Sequence, residues 1–445
     1  MQVSIIGTGY VGLVSGVCFA EKGHQVLCVD IDPTKVEKIN QGISPFYEPG
    51  LNELLQRNIH SRLKATTDFR QAILETDISL IAVGTPFDGR EVDLTYVKQA
   101  AKQIGEALKD KSTYHLVIVK STVVPGTTDQ VVLPILEAAS GKKAGVDFGV
   151  GMNPEFLTEG EAVDDFMYPD RIVLGGIDDQ SIDLLDQLYS GFDGVDRLRT
   201  NNSTAEMIKY TSNSLLALLI SFSNEVGNLC AAIGNTDVVD VMKGVHNSRY
   251  LTTILPNGDR IIPPITSFLA AGCGFGGSCL PKDVKALIAH GEKHGSQMPL
   301  LDAVIRTNQA QPQQVMARLH KHFSSLAGVR VAVLGLAFRP NTNDMRESPA
   351  IPIIQELLAQ KAVLKAYDPV ANSEAEHILG SGTIEFCTSL SQVLSDVQAV
   401  VLVTRWDEFR QVPELLAQLD QQPVFIDGRR LLDKHALTRY EGIGM

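Results

Sequence analysis

The run Gly274-Phe275-Gly276-Gly277-Ser278-Cys279-Leu280-Pro281-Lys282-Asp283 brings one cysteine from a glycine-rich loop to the start of a helix. Pro281 is expected at the first helical position, where its missing N–H is no loss. Unpaired N–H groups at a helix start stabilise a thiolate, and Lys282 adds a nearby cation. Cys279 is therefore a candidate nucleophile, although a buried, inert thiol behind a flexible turn would read the same in isolation. A second pattern is Lys209 and Asn213, four residues apart and so on one face of a long helical stretch. A lysine beside an asparagine could stabilise an oxyanion.

The N-terminal elements indicate what such chemistry would act with. The β-prone Val3–Ile6 leads straight into Gly7-Thr8-Gly9-Tyr10-Val11-Gly12, a helix to about Lys22, and a second strand ending in Asp30. Strand, G-x-G-x-x-G, helix, strand and acid in this order form a dinucleotide fingerprint. Gly7 makes the turn, Gly9 admits the pyrophosphate, and Gly12 allows close helix–strand packing. Asp30 would accept from ribose hydroxyls and repel a 2′-phosphate, so NAD is expected rather than NADP. Two more buried-type strands end at Gly84-Thr85-Pro86 and Lys120-Ser121-Thr122, making Thr85 and Thr122 site candidates or simple helix caps.

A helical middle follows, with patterns from Thr204 to about Gly234, Pro281 to about Gly295, and Leu300 to about Phe323 interrupted by Pro312. From Val329 strand and helix alternate again, without a full glycine fingerprint. Arg339, Arg346 and Arg429 fall on loops after strands, suited to phosphate. The expected fold class is α/β, with two doubly wound Rossmann-like domains joined by a helical central domain. The expected boundaries are 1–200, 201–325 and 326–445.

Composition narrows the setting. A net charge of −13 argues against nucleic acid as a partner. The six cysteines lack metal-ligand spacing, so no metal is expected and a reducing cytoplasm fits. No unbroken run of about 18 apolar residues suggests a membrane span.

With these segments in hand, the chain resembles the nucleotide-sugar 6-dehydrogenases, the UDP-glucose/GDP-mannose dehydrogenase family. The similarity runs in order through the fingerprint, Glu48-Pro49-Gly50-Leu51, Val83-Gly84-Thr85-Pro86, Lys120-Ser121-Thr122, Asn153-Pro154-Glu155-Phe156-Leu157, Gly276-Gly277-Ser278-Cys279, Pro281-Lys282-Asp283 and Arg346-Glu347-Ser348-Pro349. It implies a four-electron oxidation of a sugar C6 alcohol with NAD, through a Cys279 thiohemiacetal and thioester. UDP-glucose is the implied substrate, with GDP-mannose the rival. A non-catalytic nucleotide-sugar sensor and a two-electron hydroxyacid dehydrogenase are the readings from outside the family's chemistry.

The resemblance also implies roles. Lys209 and Asn213 would stabilise oxyanions, Asp283 and Thr122 would orient a water or hydroxyl, and Glu155 would assist hydrolysis. NAD contacts would include Val11, Asp30, Lys35, Thr85, Thr122, Glu159, Lys282 and Arg346. Substrate contacts would include Glu155, Phe156, Leu157, Thr158, Glu159, Lys209, Asn213, Phe268, Leu269, Ala270, Ala271, Gly272, Gly276 and Arg339. The central domain would carry the cysteine and a homodimer interface, with Arg260, or else Arg249, reaching the neighbouring subunit's substrate. Three departures stand out: Thr158 where the family usually has Arg, Arg339 where it usually has Lys, and a longer segment at 247–264.

Overall fold

The computed structural model describes residues 1–380 and 382–445. The chain forms two compact units, Met1–Ser212 and Asn213–Met445. In the first, eight strands make one sheet: β1 (Gln2–Ile6), β2 (Gln25–Val29), β3 (Leu63–Thr66), β4 (Ile78–Ile81), β5 (His115–Val119), β6 (Phe148–Met152), β7 (Arg171–Gly176) and β8 (Asp196–Thr200). Their order is β3-β2-β1-β4-β5-β6-β7-β8. Only the β6–β7 pair is antiparallel. Successive residues serve opposite faces, as the period of a strand requires. Ile5, Leu80 and Ile118 join one core cluster, whereas Ile6, Ile81 and Val117 join the other. Burial on both faces explains why these strands read as unbroken apolar runs. The strand order reverses at β1 and β4, and the turns after their C-terminal ends carry Gly7 and Thr85.

Below the sheet interior runs a polar seam that the apolar pattern conceals. His115 is fully buried; its Nε2 lies 2.7 Å from Ser79 Oγ and its Nδ1 3.0 Å from the Thr76 carbonyl. Ser79 Oγ in turn lies 2.7 Å from Ser4 Oγ, joining β1, β4 and β5.

The second unit begins inside the helix Asn202–Ile233, close to the expected span. It contains a two-stranded hairpin of β9 (Thr253–Ile254) and β10 (Arg260–Ile261), so the middle of the chain is not wholly helical as expected. The hairpin lies within the segment noted as long. Leu280, not Pro281, opens the next helix, Leu280–Lys293; the proline stands one place further in, still within the first turn. Pro312 separates the helices Pro299–Ala310 and Pro312–His322. The sheet of this unit is parallel throughout, ordered β13-β12-β11-β14-β15-β16. Its strands are β11 (Arg330–Leu334), β12 (Val363–Tyr367), β13 (Ile384–Phe386), β14 (Ala399–Leu402), β15 (Val424–Asp427) and β16 (Tyr440–Gly442). The α/β class with two doubly wound sheets is as expected.

The helix Asn202–Ile233 is long and apolar, as the core helix of a folded unit can be. By length and composition it could cross a membrane, with mean hydropathy 1.5 over an 18-residue window. An average over the window finds what a search for unbroken apolar runs misses. Two of its buried polar residues are engaged within the fold: Asn224 accepts from the Gly272 N–H and Ser221 donates to the Val304 carbonyl.

Burial, reinforced by the Lys111 charge, pushes the His115 imidazole down to about 3. Its folded value lies below the unfolded one of about 6.5, so its contribution is intact above that pH and fades as pH falls toward 3. Replacing His115→Gln should flatten the acid loss of first-unit stability by up to about 3 kcal/mol between pH 7 and pH 4. Urea unfolding between pH 7 and pH 4 measures this; superimposable profiles would refute it.

Candidate active site

The fingerprint turn is built by close approach. A Cβ on Gly12 would run into the Gly7 carbonyl, so the helix Tyr10–Glu21 can start against β1 only with glycine there. Gly9, by contrast, faces open space, leaving room for a ligand beside the first N–H groups of that helix. Asp30 Oδ2 accepts from the Thr8 N–H at 2.9 Å and from its hydroxyl, and Oδ1 accepts from the Asp32 N–H at 3.0 Å. Burial works to raise this carboxyl, but these bonds and the Lys35 charge hold it below its usual range. It is therefore an ionised acceptor at neutral pH, as the ribose of NAD requires. Lys35 sits in the first turn of Pro33–Asn40, capped by Asp32. Thr85 donates to the Thr122 carbonyl at 2.8 Å, so two strand-end candidates meet directly. These residues fit a bound dinucleotide.

Also in the first unit, Glu155 and Lys209 form a buried ion pair at 2.8 Å, with side chains 5% and 3% exposed. Glu155 Oε2 also accepts from the Leu157 N–H at 2.7 Å. Burial alone would raise the Glu155 carboxyl; the Lys209 ammonium, the Leu157 N–H and the Lys120 charge together hold it below its usual range. Lys209 also lies over the ring of Phe156, 5.5 Å from its centroid. Lys120 is a second buried cation, donating to Asn153 Oδ1 at 2.8 Å. Burial brings its ammonium down to about 8 despite the pull of Glu155. The Thr158 N–H is held by Asp165 at 2.8 Å, and Glu159 is buried.

In the second unit Cys279 is the N-cap residue of Leu280–Lys293 and is partly exposed, whereas the other five cysteines are buried. Its Sγ lies 3.5 Å from Ser278 Oγ. Asp283, fully buried one turn into the helix, accepts from Asn213 Nδ2 at 2.6 Å and from Lys282 Nζ at 2.5 Å. The ammonium assigned to NAD in the sequence thus pairs here with Asp283. A side chain on Gly277, at φ +88°, would meet the Phe338 ring, and its N–H donates to the Arg346 carbonyl at 2.8 Å. Gly276 packs against the Glu347 carbonyl too closely for any Cβ. The Arg346-Glu347-Ser348-Pro349 motif is thereby the floor of the cysteine loop.

Other groups that the sequence did not single out hold the same loop. Asn224 takes the Gly272 N–H at 2.7 Å, and Asn308 both accepts from the Phe275 N–H and donates to its carbonyl. Only an inventory of unpaired loop backbone could have pointed to them. Arg429 is a correction: offered as a phosphate ligand, it donates to the Val403 and Gly274 carbonyls. Arg346 pairs with Asp344 on the surface, and Arg339 is half-buried on the loop after β11. Leu269 and Ala271 are buried, Phe268 and Ala270 half-buried. Arg260 and Arg249 are exposed on the 247–264 segment, Arg260 donating to the Asn247 carbonyl.

Removing one partner of the Glu155–Lys209 pair leaves a buried charge, so Glu155→Ala should cost the first unit about 3–5 kcal/mol at pH 7. A double-mutant cycle with Lys209→Met by urea unfolding should give a coupling above about 1 kcal/mol. With the folded carboxyl held low, this contribution persists above about pH 4.3 and fades as pH falls. A coupling near zero would overturn the pairing.

The chain matches three family models of the UDP-glucose/GDP-mannose dehydrogenase family: the NAD binding domain over residues 1–193, the central domain over 203–310 and the UDP binding domain over 332–434. It is 41% identical to the UDP-glucose 6-dehydrogenase AglM of Haloferax volcanii over 450 aligned residues, covering all of both chains. It is 38% identical to the GDP-mannose 6-dehydrogenase of Pseudomonas putida, again over the whole of both. A solved UDP-glucose dehydrogenase from Pyrobaculum islandicum superposes with TM-score 0.90 at 38% identity, covering 100% of this chain and 97% of that one. The glycine turn, the ionised Asp30 and the cysteine loop are thus features of an NAD-dependent dehydrogenase, and the chain belongs to the UDP-glucose/GDP-mannose dehydrogenase family.

Proposed function

We propose that the protein oxidises UDP-glucose at C6 to UDP-glucuronate, with Cys279 carrying the carbon between the two oxidations. The observation that carries this reading is Cys279 at the head of Leu280–Lys293, with Asp283 one turn in and hydrogen-bonded to Asn213. A helix N-terminus favours the thiolate, and neighbouring polar groups can bind developing charge. UDP-glucose is favoured because relatives bearing that activity span the whole chain. The equally full-length GDP-mannose relative keeps that sugar nucleotide as the second reading.

NAD, when bound, supplies the hydride acceptor. The remaining work falls to the chain. Thr122 and Asp283 orient the C6 hydroxyl, and later a water, for proton removal. Cys279 Sγ adds to the carbonyl carbon left by the first oxidation, giving a thiohemiacetal. Oxidation of that adduct leaves a thioester, which water hydrolyses to the acid. Lys209 and Asn213 donate to the oxyanion of each covalent step. Glu155, kept ionised beside Lys209, receives the proton of the hydrolytic water. The dinucleotide contacts are assigned to Gly7, Gly9, Val11, Gly12, Asp30, Lys35, Thr85, Thr122, Glu159, Lys282 and Arg346. The nucleotide sugar is assigned to residues 155–159, 268–272, Gly276 and Arg339.

The working form is read as a homodimer. Leu215, Phe222, Leu229 and Ile233 are exposed at heptad-like spacing on one helix. A matching stripe on a second copy would cover them, with Arg260 of the hairpin reaching the partner's substrate. Free cysteines throughout the described residues suit a cytoplasmic enzyme.

NADH formed per mole of limiting UDP-glucose should be near two, with GDP-mannose and UDP-N-acetylglucosamine giving little. Cys279→Ser should lower turnover by at least about a thousandfold, as loss of a covalent nucleophile does. A ratio near one, or an active Cys279→Ser, would sink the role given to the thiol. A ratio near two with another sugar nucleotide would move the substrate and keep the mechanism.

A further inference from the structure

The Glu48-Pro49-Gly50-Leu51 segment has no place in the chemistry above, yet its carboxylate is among the most heavily used in the first unit. Glu48 is 6% exposed. Oε1 accepts from the Ala162 N–H at 2.7 Å, and Oε2 accepts from the Gly160 N–H at 2.8 Å and from the Tyr10 hydroxyl. Tyr10 also receives the Gly160 N–H at 3.1 Å. Burial and the adjoining carboxylate push the Tyr10 phenol up, so it stays protonated and donates. Its ring packs on Phe46, 5.2 Å between centroids, at the entry to the same segment.

Tyr10 is the residue after Gly9, the first of the helix whose N–H groups face the expected pyrophosphate. Gly160 lies near the end of the irregular stretch that follows β6 and contains Glu155, and Ala162 opens the next helix. One carboxylate therefore ties the cofactor turn to the end of that stretch, through one side-chain and two backbone donors.

We propose that Tyr10 and Glu48 are positioning residues that brace the 155–162 segment against the pyrophosphate turn, so that cofactor binding orders the segment and strengthens nucleotide-sugar binding. The sugar-binding half of this statement rests on the assignment of residues 155–159 above; the cofactor-to-segment half is separated from the Glu159 contact assigned above by the variants, which leave Glu159 in place. Glutamine at position 48 keeps the shape but replaces one acceptor oxygen with a donor facing donors. Phenylalanine at position 10 removes only the hydroxyl.

The test measures amide hydrogen exchange in the 155–163 peptide with and without NAD, for wild type, Tyr10→Phe and Glu48→Gln. Wild type should exchange more slowly with NAD bound, and both variants should lose that protection. Calorimetric titration with UDP-glucose, with and without NADH (which cannot accept a hydride), should show about tenfold tighter binding with NADH in wild type only. NADH affinity alone should change less than about twofold, since coupling is a difference between two bound states. Should Glu48→Gln fail to fold, Tyr10→Phe carries the test. Unchanged protection in the variants, or no NAD effect on wild-type exchange, overturns the brace. Protection without any UDP-glucose binding would leave the brace standing and refute the sugar assignment instead.

Discussion

Buried irregular backbone must find a partner for every N–H and C=O, and both units place their candidate chemistry on such backbone. The stretch from Gly272 to Cys279 has no ladder or helix of its own. Its groups are met by Asn224, Asn308, Arg429 and the Gly428 and Arg346 carbonyls, drawn from helices and strand ends far apart in sequence. The stretch from Glu155 to Ala162 is held instead by carboxylates: Glu155 on Leu157, Asp165 on Thr158, and Glu48 on Gly160 and Ala162. Much of each unit's polar interior follows from this requirement.

The requirement has an electrostatic side. Carboxylates that hold backbone N–H groups in a buried place must remain charged, and the burial of Glu155 would by itself neutralise it. Lys209, the Leu157 N–H and Lys120 together oppose that, and Glu155 in turn gives the buried Lys209 a counter-charge. Lys120 shares the neighbourhood with no carboxylate on its ammonium among the described bonds; Asn153 and Tyr189 receive its protons. Its lowered pKa is the expected response of a cation held mainly by neutral oxygens.

These features were unevenly legible in the sequence. The fingerprint, the strand ends and the cysteine loop could be read because each is local: a few residues fix their own turn. The doubly wound sheets followed from alternation of apolar strands and helices. The 54-residue separation of Glu155 and Lys209, by contrast, leaves no local trace, and neither does the use of Asn224 or Asn308. Arg429 was read as a phosphate ligand because a loop arginine after a strand offers itself to any anion. Two carbonyls of its own fold took it first. The hairpin at β9 and β10 escaped because its strands are two residues each and exposed, below any periodicity. Pro281 was misplaced by one because several positions in a first helical turn tolerate proline.

The two sheets pose one question twice, since each ends its second strand on an aspartate. Asp30 is partly exposed and, among the described residues, accepts from Thr8 and Asp32, which leaves lone pairs for hydroxyl groups. Asp368, after β12, is 1% exposed. Its Oδ2 accepts from the Leu336 and Ala337 N–H groups and the Trp406 indole, and its Oδ1 from the Val370 and Ala371 N–H groups. Five donors of the chain thus converge on this one carboxylate. After β11, Gly335 keeps the first glycine of a fingerprint, at φ +85°, but Ala337 occupies the place of the second. The same strand-turn-helix geometry has become a closed knot in one unit and an open acceptor in the other. Shared topology therefore predicts no shared ligand.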